Sequence, residues 1–378
     1  MPNIPLFKTY TDADDIKAVS EVIKSGMNWA IGPKVQELEK MVAKYIGRKY
    51  AVAVNSGTSA LHALMIAYGF GPGDEVIVPS DTFVATANAV VMVGAKPVFA
   101  EIEEKHFGID PALLEKKITK KTKAIMPVHY GGCACQIEAI KKIAKKHKLL
   151  LIEDAAQSLG AKIGNKKAGS FGDSAVFSFC GSKVITTGEG GMVVTDNKDI
   201  FEKLKLIRSH GRLETENYFS STKYMDYVML GYNFRMSNIT AALGIAQFKK
   251  LGKVIAMRRK NVQYLNKKLS AIDGVVVPEV PSPYFHMYQT YTIILTGGKT
   301  VRDALKKHVN ANGIFAKVYY DSVHLTSFYQ ETFGYKKGDL PATEAICDKV
   351  LSLPMYPDLT KKEMDYMVAQ VKSFFKNV

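Results

Sequence analysis

Short apolar runs rich in β-branched residues alternate with helical patterns between residues 50 and 195. Such near-continuous runs are typical of strands buried on both faces, as in a parallel sheet that is covered by helices. Seven runs are predicted as strands, at residues 50–54, 75–79, 97–101, 123–128, 149–153, 174–179 and 191–195. The alternation therefore predicts an α/β fold with a seven-stranded, mainly parallel sheet between helices.

Apolar residues spaced three and four positions apart predict the helices. Within the first half of the chain these are residues 58–68, the stretch around 111–118, and 137–147. A further helix begins at Pro33, because proline is favoured in the first turn. Towards the C-terminus the pattern predicts a strand at 291–295 and helices at 300–309 and from about 361 onwards. Thr360 and Glu363 form a capping box that would start this last helix.

A change in composition marks a domain boundary. Residues 249–268 carry eight Lys or Arg and no acid, and the proline-rich segment PEVPSPYF follows at 278–285. We expect a large domain at residues 1–248 and a smaller C-terminal α+β domain at 249–378.

The overall charge favours an anionic partner, since 51 Lys and Arg oppose 36 Asp and Glu, for a net charge of +15. Basic stretches at 116–123, 141–148 and 249–268 have apolar residues between the lysines, which predicts the solvated faces of helices. They are not accompanied by a nucleic-acid-binding motif. We therefore expect no nucleic acid partner, and a phosphorylated small molecule is the better candidate.

Cysteine content and hydropathy indicate the compartment. Four cysteines are too few for a disulfide framework, and no apolar run approaches the 18 residues or so of a membrane span. The first residues, MPNIPLFKTY, lack a secretory pattern. We expect a cytoplasmic protein with no membrane partner.

Three polar residues follow predicted strand ends at close intervals. Asp154 ends LLLIED, Ser178 ends AVFSF, and Lys183 lies just beyond. Since ligands of open α/β sheets bind outside the carboxyl ends of the strands, these side chains are expected to converge on one edge. Their order predicts a shared site.

A phosphate seat is predicted beside them, because Ser56, Gly57 and Thr58 follow a strand and open a helix whose free N–H groups attract anions. A phosphate seat, a buried acid and a lysine are what pyridoxal phosphate requires, and Phe83 would stack on its ring. Each residue alone has a structural explanation: a helix N-cap for Ser56, and the core for Phe83. Only the order and spacing of the set favour the cofactor.

At these residues the sequence resembles the DegT-type nucleotide-sugar aminotransferases, which are fold-type I pyridoxal-phosphate enzymes. The resemblance rests on VNSGTSAL (54–61), GDEVIVPSDTFVAT (73–86), AIMPVHYGG (124–132), IEDAAQSLGA (152–161), GSFGDSAVFSF (169–179), ITTGEGGMVVTD (185–196) and GYNFRMSNITAALG (231–244). The segments occur in the right order over nearly the whole chain.

The resemblance implies a role for each site residue. Lys183 would form the Schiff base and move the proton, Asp154 would pair with the pyridinium nitrogen, and Gln157 would bond the ring oxygen. The phosphate would be held by Gly57, Thr58 and Ser178, and by Asn233 of the neighbouring subunit. The enzyme would then be a homodimer with shared active sites.

The substrate expectation is a nucleotide-linked keto sugar with L-glutamate as amino donor. Relatives often carry a His-Pro pair before the lysine, whereas this chain has Cys180, Gly181 and Ser182. After Arg259 only Arg302 remains, inside a predicted helix, so a C-terminal arginine clamp for an amino-acid carboxylate is not expected.

Two further segments refine this expectation. ITTGEGGM, with Glu189, resembles the perosamine-synthase-like branch that aminates C4 of a 4-keto-6-deoxy sugar, and SGMNWAIGPK, with Trp29, resembles the family's substrate loop. The alternatives are a C3-aminating enzyme, a pyridoxal-phosphate-dependent sugar dehydratase, and a non-catalytic regulatory protein of the same fold. The dehydratase is disfavoured because the relatives that act as dehydratases have histidine in place of the Schiff-base lysine, whereas this chain has Lys183.

Overall fold

The computed structural model describes residues 3–214, 216, 218 and 221–376. Its strands are β1 (Tyr50–Val54), β2 (Glu75–Pro79), β3 (Lys96–Ala100), β4 (Thr122–Ile125), β5 (Leu150–Asp154), β6 (Lys162–Ile163), β7 (Lys166–Lys167), β8 (Ser174–Ser178), β9 (Gly191–Thr195), β10 (Val275–Val276), β11 (Tyr284–Phe285), β12 (Tyr291–Leu295) and β13 (Val350–Leu353). All seven predicted strands of the large sheet are therefore present, with shifts of up to three residues at their ends.

The α-helices are α1 (Ala13–Lys24), α2 (Pro33–Ile46), α3 (Gly57–Tyr68), α4 (Ala85–Val91), α5 (Pro111–Leu114), α6 (Ile137–Lys146), α7 (Lys198–Arg208), α8 (Asn238–Lys249), α9 (Leu251–Leu269), α10 (Gly298–Ala311), α11 (Ser327–Phe333), α12 (Pro341–Cys347) and α13 (Lys361–Lys376). Short 3₁₀ turns lie at Glu115–Lys117, Tyr130–Gly132 and Val323–Leu325. The predicted capping box of α13 is confirmed. The Thr360 N–H donates to Glu363 Oε2 over 2.7 Å, and the Glu363 N–H donates to Thr360 Oγ1 over 3.2 Å.

The large sheet has the strand order β1-β9-β8-β5-β4-β2-β3. Pairing is parallel from β8 through β5, β4, β2 and β3, while β9 is antiparallel to both of its neighbours. Val52 and Val54 of β1 pack with α3 and α7 on one face, and Ala51 and Ala53 pack with α2 on the other. This two-sided burial explains why the strands are apolar throughout.

A three-stranded antiparallel sheet, β10-β12-β13, forms the second core with α9, α10 and α13. Helix α9 serves both cores: Val254 packs with the large sheet, and Leu265 packs with the small one. Ile4, near the N-terminus, also belongs to the second core. The boundary that we propose at residue 249 thus lies directly before a helix shared by the two parts.

Two expectations are corrected. The helix predicted around 111–118 is only one α-turn, Pro111–Leu114, followed by the 3₁₀ turn. The basic stretch 116–123 is not the face of a helix, because it continues from that turn into β4. Its lysines are nevertheless mostly exposed, so it remains a solvated segment. Across the described ranges, no helix combines the length and hydrophobicity needed to cross a bilayer.

Candidate active site

The carboxyl ends of β1, β5 and β8 lie at the same edge of the large sheet. Strands β5 and β8 are parallel neighbours, with Asp154 opposite Val176, so Asp154 and Ser178 end adjacent strands. Strand β1 runs in the same direction as β8 because β9, between them, is antiparallel to both. The predicted convergence is confirmed for Asp154 and Ser178, and the Asp154 carboxylate also acts on the Lys183 amine.

The start of α3 lies directly against the end of β8. A Cβ atom on Gly57 would be 2.9 Å from the Cβ of Ser178, and one on Gly191 would be 2.2 Å from the carbonyl oxygen of Ser56. Only glycine allows these close backbone approaches. Ser56 is the N-cap of α3, and its Oγ accepts from the Ser59 N–H over 3.0 Å. The first turn of α3, in which Thr58 is half-buried, presents its N–H groups at the edge of the large sheet where β1, β5 and β8 end. We call this edge the rim.

Asp154 is a buried carboxylate held by two uncharged donors. Its Oδ2 accepts from the Thr86 hydroxyl over 2.7 Å, and its Oδ1 accepts from the Ala156 N–H over 3.1 Å. Burial raises the pKa of Asp154, which the Thr86 hydrogen bond partly offsets. No lysine, arginine or histidine in the described part of the chain forms a salt bridge with it. A buried carboxylate without an ion-pair partner fits a protonated ring nitrogen.

Lys183 is half-buried, five residues after the end of β8. Burial lowers the pKa of Lys183, while the Asp154 carboxylate and, to a smaller extent, Glu189 oppose the shift. Its Nζ has no hydrogen-bond acceptor among the described residues, whereas its main-chain N–H donates to the Cys180 carbonyl over 2.9 Å. A lysine with a depressed pKa and an uncommitted amine suits Schiff-base formation.

The cavity at Lys183 is lined by residues from both the large-sheet part and the C-terminal part of the chain. It is lined by Leu6, Phe7, Gln157, Ser182, Lys183, Gln289, Thr290, Tyr319, Tyr320, Ser352, Leu353 and Met355. A larger cleft of about 620 Å³ lies nearby and shares Thr290 with this cavity, but Lys183 and Asp154 do not line it. Lys183 thus lines the smaller cavity and not the larger cleft, and Asp154 lines neither.

Gln157 and Phe83 lie near this cavity in different settings. Gln157 lies in a turn after β5, and its Oε1 accepts from the Gly131 N–H over 3.0 Å. Phe83 is 56% exposed, with its ring centroid 6.3 Å from that of Tyr320. An exposed aromatic ring here is not a core residue, so the core explanation for Phe83 is wrong.

Three predicted residues lie further out. Asn233 is exposed, and its carbonyl accepts from Asn55 Nδ2 over 3.3 Å, which places its backbone beside the phosphate seat of its own chain. Trp29 is 49% exposed, and its carbonyl accepts from the Asn238 N–H at the start of α8. Glu189 is exposed and has its carboxylate close enough to influence Lys183. Their substrate and cofactor roles stay predictions.

Sequence reasoning missed several residues of the site. Thr86, Tyr319, Tyr320 and Gln289 all contact or line it, and Gln289 Nε2 donates to the Ser182 carbonyl over 2.5 Å. Thr86 stands inside the segment SDTFVAT, so the motif itself offered a signal; the other three come from a part of the chain more than 100 residues away.

Comparison with known proteins identifies the family. The model of the DegT/DnrJ/EryC1/StrS aminotransferase family matches residues 9–372. The chain belongs to this family. It is 38% identical over 371 residues to a GDP-perosamine synthase of Caulobacter vibrioides, covering 98% of this chain and 97% of that one. It is 31% identical over 387 residues to a UDP-4-amino-4-deoxy-L-arabinose–oxoglutarate aminotransferase of Shewanella sediminis, covering 99% and 98%.

Among solved structures, the PLP form of Spr1654 from Streptococcus pneumoniae superimposes with a TM-score of 0.93 at 26% identity, covering 100% of this chain and 99% of that one. The fold is that of fold-type I pyridoxal-phosphate enzymes, as the resemblance implied. The protein is a sugar aminotransferase of the DegT/DnrJ/EryC1/StrS family, and its cofactor is pyridoxal phosphate.

Proposed function

We propose that the rim at β1, β5 and β8 is the catalytic centre of a nucleotide-sugar aminotransferase. The observation that carries this proposal is the convergence of Lys183, Asp154 and the Gly57–Ser178 seat on one edge of the sheet. Bound pyridoxal phosphate supplies the carbonyl that carries the amino group and the ring that takes up electrons.

The protein's own side chains would then divide the work. The amine of Lys183 binds the cofactor and afterwards moves the proton at the substrate carbon, which its lowered pKa favours. Asp154 keeps a positive charge on the ring nitrogen, and Thr86 fixes the orientation of its carboxylate. Gln157 bonds the ring oxygen, Phe83 covers the ring, and the phosphate is held by the residues of the seat: Ser56, Gly57, Thr58 and Ser178.

The proposed substrate is a nucleotide-linked 4-keto-6-deoxy sugar, aminated at C4 with glutamate as donor. The relative named for GDP-perosamine supports this class, and the one named for UDP-4-amino-4-deoxy-L-arabinose and oxoglutarate supports amination at C4 of a nucleotide sugar. Glu189, beside Lys183, and Trp29, on an exposed loop, are the proposed sugar contacts. The net charge of +15 suits a diphosphate substrate in the cytoplasm.

A substrate panel tests this assignment. GDP-, UDP- and dTDP-linked 3-keto and 4-keto sugars are incubated with glutamate, and the products are read by mass and NMR. We expect a new amino group at C4 of one 4-keto sugar. Amination only at C3, or only of a ketone without a nucleotide, would overturn the substrate class, and loss of oxygen without amination would indicate a dehydratase.

We also propose a homodimer in which Asn233 reaches the phosphate of the partner's cofactor. Its exposure, and that of Leu230 (78%) in the preceding loop, supports burial against a second copy. A mixed dimer of Lys183→Ala and Asn233→Ala chains would contain one doubly damaged site and one intact site if sites are shared. Recovery of activity on mixing supports sharing, and no recovery in a proven heterodimer contradicts it.

A further inference from the structure

One segment of the C-terminal part, residues 319–324, is fastened to the end of β2; we call it the strap. The Tyr319 carbonyl accepts from the Tyr130 hydroxyl, and the Tyr320 N–H donates to Asp81 Oδ1 over 2.9 Å. Both polar groups of a single peptide unit are therefore held by side chains of the large-sheet region.

The far end of the strap is fastened as well. The Val323 N–H donates to the Ser80 carbonyl over 2.9 Å, and the His324 N–H donates to Ser80 Oγ over 3.1 Å. The Ser80 hydroxyl in turn lies 2.7 Å from His324 Nδ1. Since Tyr319 and Tyr320 line the cavity at Lys183, the strap closes one side of the site.

Among the residues that bind the strap, Asp81 is unusual because its carboxylate is buried and incompletely hydrogen-bonded. It is fully buried, and only one of its carboxylate oxygens has a partner, because Oδ2 lacks a hydrogen bond within the described chain. The charge of a buried carboxylate is unfavourable unless it is well paired, so a residue needed only for packing would be apolar here. Lys183 is not among the groups that Asp81 perturbs.

We propose that Asp81 is a positioning residue that holds the strap, and with it Tyr319 and Tyr320, in place across the Lys183 cavity. It acts on the site through the Tyr320 main chain, and no hydrogen bond or salt bridge between the described residues joins it to Lys183 or Asp154. The proposal rests on the catalytic role of Lys183 given under Proposed function, but not on the identity of the sugar.

The test compares Asp81→Ala, Asp81→Asn and Asp321→Asn with the wild type. Asp321 is an exposed carboxylate on the same strap and serves as the matched control for loss of one negative charge. Two quantities are measured. One is the hydrogen exchange of strap peptides, with and without cofactor. The other is the rate at which glutamate, the amino donor, bleaches the visible absorption band of the bound pyridoxal phosphate in the holoenzyme.

For Asp81→Ala we expect strap exchange to be at least about tenfold faster, because the acceptor of the Tyr320 N–H is lost. Glutamate should bleach the band about tenfold to a hundredfold more slowly, while the band itself keeps its intensity. Asp81→Asn retains an acceptor oxygen and should recover most of both values. Asp321→Asn should stay within about twofold of the wild type in both.

Strap exchange and bleaching rate within about twofold of the wild type in Asp81→Ala would overturn the proposal. So would loss of the absorption band in both Asp81 variants, since Asp81 would then support cofactor binding or folding instead of the strap. Neither readout uses a sugar, so failure of every nucleotide sugar in the substrate panel would contradict the proposed substrate and leave this result unaffected.

Discussion

Lys183 and Arg302 are both cations removed from bulk water, one in each half of the molecule, and their surroundings differ. Arg302, in α10, is 3% exposed; its guanidinium donates to the Cys347 carbonyl over 2.9 Å and to Asp303 over 2.6 Å. Lys183 has no acceptor for its amine within the described residues, and burial lowers its pKa. Burial of a charge thus does not by itself mark a catalytic group.

This difference indicates which buried charged side chains take part in catalysis and which only stabilise the fold. A guanidinium bonded to backbone carbonyls is already satisfied, and its loss leaves those carbonyls without partners. An amine without an acceptor in a cavity is available to a ligand. Variants at the two places should therefore affect different quantities: activity at the rim and folding in the C-terminal part.

The largest effect is expected for Lys183→Ala. Turnover should fall by about a thousandfold or more, because the group proposed to bind the cofactor and transfer the proton is gone. The melting temperature should change little, since no hydrogen bond of the Lys183 amine is lost. Coupled-assay rates and a thermal melt measure the two quantities. Residual activity within tenfold of the wild type would remove this lysine from the mechanism.

Asp154→Asn sharpens the picture of the rim by removing charge while keeping shape. We expect turnover about a hundredfold lower in fully loaded enzyme, because a neutral amide no longer favours a protonated ring nitrogen. Cofactor content is measured by absorbance, and single-turnover rates follow the proton-transfer step. Unchanged rates at full loading would mean that another group holds the ring nitrogen.

The opposite pattern is expected for Arg302→Met, which keeps the length of the side chain but loses its donors. Stability should fall by about 2–3 kcal/mol, since the Cys347 carbonyl and its buried surroundings lose their donor. The value of kcat/KM should stay within about threefold of the wild type. Urea unfolding and steady-state kinetics measure both; a large loss of activity in folded enzyme would break the contrast between the two regions.

The sequence predicts those features of the site that depend on local patterns, and it does not predict those that depend on contacts between segments far apart in the chain. Asp154, Ser178 and Lys183 were predicted together because they follow apolar strand runs, and strand ends meet by a general rule. Ser56 was predicted both as an N-cap and as part of the phosphate seat; the structure confirms the cap, and the phosphate role stays a prediction.

Other features could not be predicted because they depend on contacts between distant segments. Arg258 belongs to a basic stretch that was interpreted as a solvated face, yet it is 2% exposed and donates to three backbone carbonyls. Tyr319 and Tyr320 carry no local pattern that indicates a cavity wall. Their place is decided by Asp81 and Tyr130, which lie about 190 to 240 residues earlier in the chain.

A smaller effect with a defined pH dependence is expected from Asp81. Burial raises the pKa of Asp81 to about 7, opposed by the Tyr320 N–H and assisted by Asp321. The other titratable groups that its charge perturbs are Tyr130, Tyr320 and Cys347, all without a positive charge.

Because the folded carboxyl then binds its proton more tightly than the unfolded one, stability should fall as pH rises from about 4 to about 7. The loss is about 2 kcal/mol in size after allowance for relaxation around the buried group. Asp81→Asn should lack this slope. Urea unfolding of both proteins between pH 4 and pH 8 measures it, and parallel curves for the two proteins would contradict the assignment.

The smallest effect concerns the capping box of α13, which supports the C-terminal core; Thr360 and Glu363 do not line the cavity at Lys183. Thr360→Ala removes the hydroxyl that accepts from the Glu363 N–H and donates to the Glu363 carboxylate. We expect a loss of about 1 kcal/mol in stability, the usual value of an N-cap, with kcat/KM unchanged. Thr360→Ser keeps the hydroxyl and is the matched control. A lower kcat/KM in Thr360→Ala but not in Thr360→Ser would contradict this expectation. It would mean that the C-terminal core affects activity as well as stability.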